Sequence, residues 1–438
     1  MRFFWISVNI FLALCVCIAG VLLLSHYQGF FGKAAANTQR KPLSAKGEKE
    51  SVQLAGAISF RVTTNALCQD EAILVEPGEP FRFTLRPGID LPSSVSGDLT
   101  GYVETHPSLA DGVQIDWKSE GGGTIVAKGG GRYEFVPPET GGDVLLRFRG
   151  SLTLPGSAPA EGNLTGETSL RLLCPIPWER MPDDAREGIG KYPSVGSKSS
   201  LAPFRSFYTR PTHFYLVTGE NQNWKISPHF RLGDFDLHFD YDGPDAPDTS
   251  HLPQYVALNP HLVVKLEEIV SGLREVGVDV PTLGILAGFR SPAYNSWKKK
   301  MGGVGGKYTK GLSTHMYGCA ADFYVDADGD GAMDDLNGDG TIDMEDAAWV
   351  RDRVVDAVDC RAEASSSGLA GMCGVYGEHD VPDRATQTPN LHVDVRVYSL
   401  NRWYINPRDE MVTDWEYWER RSCQQVLGTA TPELGAGR

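Results

Sequence analysis

The segment Ser313-Thr-His315-Met-Tyr-Gly318-Cys-Ala-Ala-Asp322 puts an imidazole and a carboxylate on either side of a glycine and a run of small residues. The residues that follow, 323–325, are Phe, Tyr and Val and extend the segment as a strand. A second imidazole, His392, stands in Leu391-His392-Val393-Asp394-Val395. Strand side chains alternate, so His392 and Asp394 share a face. Two imidazoles and one carboxylate suit a zinc ion with one open position, and Asp394 is placed to orient His392. Spacing alone is equally compatible with a simple His–Asp hydrogen bond.

A second cluster follows at once. Asp326-Ala-Asp328-Gly-Asp330-Gly331 recurs nine residues later as Asp335-Leu-Asn337-Gly-Asp339-Gly340, with Asp334 and Asp343 at the same offset. Oxygens at positions 1, 3 and 5 with Gly at 6 are what a calcium loop needs. The second copy continues with the Thr341 carbonyl at position 7 and Asp346 at position 12, where an EF-hand carries Glu. Twelve-residue loops starting at Asp326 and Asp335 would share residues 335–337, so two complete EF-hand loops cannot coexist. At least one structural calcium ion is expected, the alternative being a solvated acidic loop. The repeat resembles dockerin-like and thrombospondin-type calcium loops.

Elements able to position these groups are legible around them. Asn259-Pro260 is a cap with Pro at the first helical position, and Leu262, Leu266, Ile269, Val270 and Leu273 form a helical stripe. Residues 283–287, 319–325 and 391–395 read as strands, and 346–358 as a helix. This part is α+β. Residues 58–176 differ: short β-like runs at 72–75, 81–85, 113–117, 133–136, 144–149 and 169–173 are separated by Gly- and Pro-rich turns, the pattern of an all-β, Ig-like sandwich. That region holds no catalytic constellation, and Asn163-Leu-Thr165 matches a glycosylation tripeptide. Residues 177–205, rich in Pro, Gly, Ser and charge, read as a linker between the sandwich and a domain at 206–438 with its calcium-loop insert at 326–346. Residues 26–57 read as a polar stalk.

Residues 3–24 carry no charge and suffice to span a bilayer as a helix, so the first 25 residues read as a signal anchor. Ala34-Ala35-Ala36 offers a cleavage site, but at a long distance from the apolar run. Beyond Cys15 and Cys17, six cysteines remain, with no CxxC pair. An even number in an exported chain reads as disulfides, Cys68 with Cys174 and two among Cys319, Cys360, Cys373 and Cys423. Free buried thiols are the alternative. The chain of 438 residues has a formal charge of −15, which argues against nucleic acid as a partner. Residues 322–346 hold ten acidic side chains and 234–248 six more, with no basic ones, so the acidity is confined to two short segments. The second of these is read as a solvated loop, with another cation site as the alternative.

The sequence SxHxYGxAAD followed by HxD, with Gly288-Phe-Arg290-Ser-Pro-Ala-Tyr-Asn295 upstream and Ser227-Pro-His-Phe230 at its start, resembles the zinc D-Ala-D-Ala carboxypeptidase family over residues 227–396. The central motif is closer to the peptidoglycan carboxypeptidase branch than to the dipeptidase branch. The resemblance implies that His315, Asp322 and His392 hold zinc. It further implies that Arg290 binds the substrate carboxylate or polarises the scissile carbonyl, and that Ser313 and Tyr317 support substrate beside the metal. One departure stands out. Family members place an acidic residue three before the last histidine ligand, or a histidine two before it; here those positions are Pro389 and Asn390. Glu378 and His379, in Gly377-Glu378-His379-Asp380, are the nearest candidate bases, with Glu378 preferred and a surface turn as the alternative reading of that segment; Asp394 reads as an outer partner of His392. The implied function is hydrolysis of peptidoglycan stem peptides in the bacterial envelope, anchored in the inner membrane with the bulk of the chain outside the cytoplasm. The alternatives are a catalytically inactive peptidoglycan-binding module, or an envelope scaffold whose β-domain binds a partner protein.

Overall fold

Alternating apolar residues in the first third of the chain turn one side of several strands inward. The computed structural model describes residues 57–90, 113–153, 163–197, 202–236, 254–301, 311–377, 388–396, 402–405, 411–414 and 421–429, all within the unit Leu54–Arg438. Its first strands are β1 (Ala57–Thr64), β2 (Ile73–Leu74), β3 (Phe81–Asp90), β4 (Gln114–Glu120), β5 (Thr124–Gly129), β6 (Arg132–Val136), β7 (Gly142–Thr153) and β8 (Asn163–Cys174). They form one sheet in the order β4-β7-β8-β1-β3-β6-β5, with β2 on β8. A single parallel pair, Ala57↔Thr165, joins β1 to β8. The halves on either side of that pair share a core: Phe81, Phe83, Tyr133 and Phe135 from one pack with Leu146, Phe148 and Leu172 from the other. The sequence runs omit β1 and β5. Ile58, Phe60 and Val62 do alternate in β1, whereas β5 is an exposed strand with little apolar pattern to detect.

The stretch 177–205 carries packed structure where composition suggests a linker. β9 (Ile176–Pro177) leads into a 3-10 turn, Trp178–Arg180, then α1 (Asp183–Ile189) and a second 3-10 segment, Ala202–Tyr208. Met181, just ahead of α1, and Ala185 and Ile189 on it are buried in the large core, hidden among Pro, Gly and charge.

The rest of the described chain comprises β10 (His213–Val217), β11 (Gln254–Val256), α2 (Pro260–Glu275), β12 (Leu283–Ala287), α3 (Pro292–Met301), β13 (Ala320–Val325), α4 (Met344–Val350), a π segment (Arg351–Val355), α5 (Asp356–Ser365), β14 (Cys373–Tyr376), β15 (Asn390–Asp394), β16 (Arg402–Ile405), β17 (Met411–Asp414) and α6 (Cys423–Thr429). The Asn259 side chain accepts from the His261 amide, and Pro260 opens α2. The stripe of α2 packs on a sheet ordered β12-β13-β15-β14-β16-β17. Helical structure from residue 344 to 365 runs longer at both ends than the expected 346–358, with the π segment in its middle.

Among the described residues one disulfide is present, Cys360–Cys423, which ties α5 to α6. The expected Cys68–Cys174 bridge is absent, and Cys319 and Cys373 are also thiols. Cys68 belongs to the large core, where its thiol meets the Pro260 carbonyl at 3.4 Å, while Cys174 belongs to the β-region core. Burial pushes both thiols up, Cys174 to about 12. Among the described residues no helix is long and apolar enough to cross a membrane. The apolar N-terminal run and residues 26–56 of the stalk lie outside the described residues, while Ala57 already belongs to β1.

Candidate metal centre

Neighbouring strands bring the three predicted ligands together. Asp322 on β13 lies directly opposite His392 on β15 in the antiparallel register. His315 stands on the 3-10 turn Thr314–Tyr317 that precedes β13. Gly318 ends that turn at φ +68°, and a Cβ there would lie 2.3 Å from the Ala257 carbonyl oxygen, so only glycine fits the step from ligand turn to ligand strand.

The tautomers follow from the outer partners. His315 Nδ1–H donates to the Gly288 carbonyl at 2.8 Å, which leaves Nε2 with its lone pair inward. His392 Nε2 faces Asp394 Oδ2 at 3.7 Å and turns Nδ1 toward the other two ligands. Three candidate ligand atoms then meet: His315 Nε2 to His392 Nδ1 is 3.1 Å, His392 Nδ1 to Asp322 Oδ1 is 2.8 Å, and His315 Nε2 to Asp322 Oδ1 is 3.2 Å. Bonds of ~2.0–2.1 Å in a tetrahedral site place ligand atoms ~3.3 Å apart, so the triangle and its N, N, O donor set fit zinc. The three residues are the histidine-containing metal-type group among the described residues.

The electrostatics agree. Burial pushes His315 down to about 4, so its imidazole is neutral. Burial also opposes charge on Asp322, but His315 and His392 outweigh it and hold the carboxyl well below the usual range. For His392 burial is again outweighed, here by Asp322 and Asp394, which raise it. Arg290 completes the site from the loop between β12 and α3. Its amide donates to the His315 carbonyl at 3.2 Å, and Nη2 donates to Asp322 Oδ2 at 3.2 Å. Its Nε is buried with no hydrogen-bond partner, a costly arrangement that leaves one guanidinium N–H for an incoming oxygen.

The other predicted residues are distributed unevenly. Ser313 precedes the ligand turn as its N-cap. Tyr317 packs between Tyr192 and Tyr208, at centroid distances of 5.7 and 5.6 Å, and burial pushes its phenol up to about 12. Asp394 is fully engaged: Oδ1 accepts from the amides of Met372 and Arg396, and Oδ2 from the Arg396 guanidinium. Burial opposes its charge, but Arg396 and His392 hold the carboxyl far below the ordinary value. Glu378, His379 and Asp380 lie outside the described residues. Arg396 itself, whose Nη1 donates to the Tyr208 hydroxyl at 2.9 Å, is absent from the sequence-derived set. Its place two residues beyond Asp394 was the available signal.

The acidic repeat adopts two loops of matching design. Asp326 accepts from the amides of Gly329, Asp330 and Gly331, and Asp335 accepts from those of Gly338, Asp339 and Gly340. Asp328 and Asn337 accept from the amides two residues on, as do Asp330 and Asp339. The closures differ. Asp334 takes the Ala327 amide in the first loop, and Asp346 takes the equivalent Leu336 amide in the second. The first loop therefore closes within nine residues and the second within twelve, so no residue is shared. Asp343 caps α4 in a reciprocal box with Asp346, and Thr341 follows Gly340. Oxygens of Asp326, Asp328 and Asp334 lie within 4.8 Å of one another. Burial and the neighbouring carboxylates raise the Asp334 pKa. In the second acidic segment, Asp234 closes the 3-10 turn Leu232–Phe235 by accepting from the Arg231 amide at 2.7 Å, and 237–250 lie outside the described residues.

No protein-family model matches the chain, and no curated protein or solved structure is significantly similar to it.

Proposed function

We propose that this chain is a zinc-dependent peptidase of the cell envelope that hydrolyses peptidoglycan stem peptides in the manner of a D-Ala-D-Ala carboxypeptidase. The observation that carries the proposal is the ligand-atom triangle of His315, His392 and Asp322, with edges of 2.8–3.2 Å, beside the buried guanidinium of Arg290. Zinc held there would supply Lewis-acid polarisation of a carbonyl and acidification of water. The Gly288 carbonyl holds His315 with its Nε2 lone pair inward, and Asp394 lies 3.7 Å from His392 Nε2, on the side away from the other two ligands. Arg290, held by Asp322, offers its N–H groups to the terminal carboxylate or the scissile carbonyl. The proton-accepting role is assigned to Glu378, which lies outside the described residues. Asp394 is excluded from it, because both its oxygens are taken by Arg396 and backbone amides.

Calcium in the two acidic loops is part of the same proposal, as a structural ion beside the end of β13. So are anchorage in the inner membrane by the N-terminal run and an exported, peptidoglycan-facing catalytic region. A second reading, a peptidoglycan-binding module without activity, is favoured by one observation: Asn390 spends its amide on the Thr388 carbonyl, and Pro389 offers no proton acceptor. Incubating the full chain with pentapeptide-bearing muropeptides separates the two. Release of D-alanine that is abolished by a chelator and by His315→Ala supports the peptidase; binding without release, at any zinc level, refutes it and leaves the binding module.

A further inference from the structure

The packed stretch that composition disguised as a linker walls a cavity of about 620 Å³. Its lining includes Lys191, Arg205 and Arg210 together with Trp178, Tyr192 and Tyr208, and no acidic side chain among the described residues. Arg210 stacks over Trp178, 4.7 Å from the ring centroid, and is paired with Glu179 at 3.1 Å. Lys191 and Arg205 are exposed and have no acidic partner among the described residues. The arrangement is therefore an aromatic-walled recess with two uncommitted cations and a third held at its edge.

The cavity touches the elements that build the metal centre. Tyr192 and Tyr208 both pack on Tyr317, two residues beyond His315. Tyr208 also receives Arg396, the partner of Asp394. On the other side, Gly190 lies against Ala293, where a Cβ would come within 3.0 Å of the Ala293 side chain at the start of α3, three residues past Arg290. A ligand in the recess thus lies one aromatic layer from the ligand turn and beside the helix that follows Arg290.

We propose that this cavity binds an acidic peptide, and specifically the carboxylate-bearing stem of the peptide whose end reaches the metal centre; the substrate assignment rests on the function proposed above. Cations receive the free carboxylates and the aromatic walls cover the peptide's apolar faces. Exposed charges act weakly one at a time, so recognition depends on the set and weakens with salt.

The test uses the full chain with zinc and two synthetic pentapeptides, L-Ala–D-Glu–L-Lys–D-Ala–D-Ala with the D-Glu α-carboxyl free, and the same peptide with that carboxyl amidated. Both keep the terminal carboxylate that Arg290 would hold. Calorimetry is expected to show the free acid binding about tenfold tighter than the amide, with the preference lost in Lys191→Ala/Arg205→Ala. Both substituted residues are exposed, and the reversal Lys191→Glu/Arg205→Glu should turn the preference toward the amide. Equal affinity for the two peptides in the native chain, or an undiminished preference in both double variants, overturns the cavity assignment while leaving the peptidase intact if D-alanine is still released. Absence of binding and release for both peptides overturns the two together.

Discussion

Two clusters of buried charge lie along the ligand strand β15, and they are completed in opposite ways. In the first, Lys265 donates to Asp359 at 2.6 Å and to the Asp394 carbonyl at 2.9 Å. Arg402 bridges Asp359 at 2.8 Å and Asp356 at 3.0 Å and also reaches the Gly371 carbonyl, while Arg421 covers the second oxygen of Asp356. Positive and negative groups alternate, and the cluster closes on itself. In the second, the candidate ligand atoms of His315, His392 and Asp322 face one another at 2.8–3.2 Å with Arg290 on only one side. The chain supplies partners for the scaffold cluster and leaves the other acceptor-rich. That contrast distinguishes charge that holds strands together from charge arranged for a cation.

The contrast can be broken most forcefully at Arg402. Arg402→Met leaves Asp356 and Asp359 buried short of a partner and should cost about 3–5 kcal/mol in denaturant unfolding, without altering any zinc ligand. Native stability in that variant would mean the closed cluster is not holding the fold. The next effect is a pH dependence in the metal-free chain. His315 has a folded value of about 4, below its unfolded ~6.5, so its contribution to stability is full above pH ~6.5 and lost as pH falls toward 4. The loss is on the order of 3 kcal/mol. His392 acts oppositely: its raised value gives stability below pH ~6.5 that is lost as pH rises through the folded value. His315→Leu should remove the acid slope; NMR titration should show His315 neutral well below the pH at which His392 gains its proton. Both imidazoles titrating together near 6.5 would contradict the site electrostatics.

A smaller effect sharpens the link between the clusters. Asp394 belongs to both through its carbonyl and its carboxylate, and Asp394→Asn should weaken zinc binding by about 10–100-fold while the chain stays folded. Unchanged zinc affinity would remove Asp394 from the role of orienting His392. The smallest is Asp343→Ala, which removes the cap accepting from the Glu345 amide at 2.7 Å and should cost about 1 kcal/mol in thermal unfolding, by weakening α4 at the end of the second acidic loop.

Local spacing showed only part of the candidate set: a turn, a glycine and a strand place His315 beside Asp322, and alternation places His392 with Asp394. That His392, 70 residues from Asp322, joins them came from the family resemblance, not from spacing. The Asn259-Pro260 cap was legible from local spacing. Lys265 was not, because a lysine within a helical stripe reads as solvent-facing until its carboxylate, 94 residues away, is seen beneath it. The buried Met181, Ala185 and Ile189 were masked by the Pro, Gly and charged residues around them. Pairing Cys68 with Cys174 failed because residues that bracket a region in sequence can face two different cores. Loop overlap in the acidic repeat came from imposing a twelve-residue closure on both copies. Asp334 closes the first copy early, and only the contact with the Ala327 amide reveals it.

The most direct test of the central claim is the zinc content of the purified full chain after equilibration with micromolar zinc, determined by elemental analysis for the native protein and for His392→Ala. The ligand-atom triangle predicts one zinc per native chain and none retained at this centre in the variant. A native chain that takes up no zinc, or a variant that retains it in full, would contradict it.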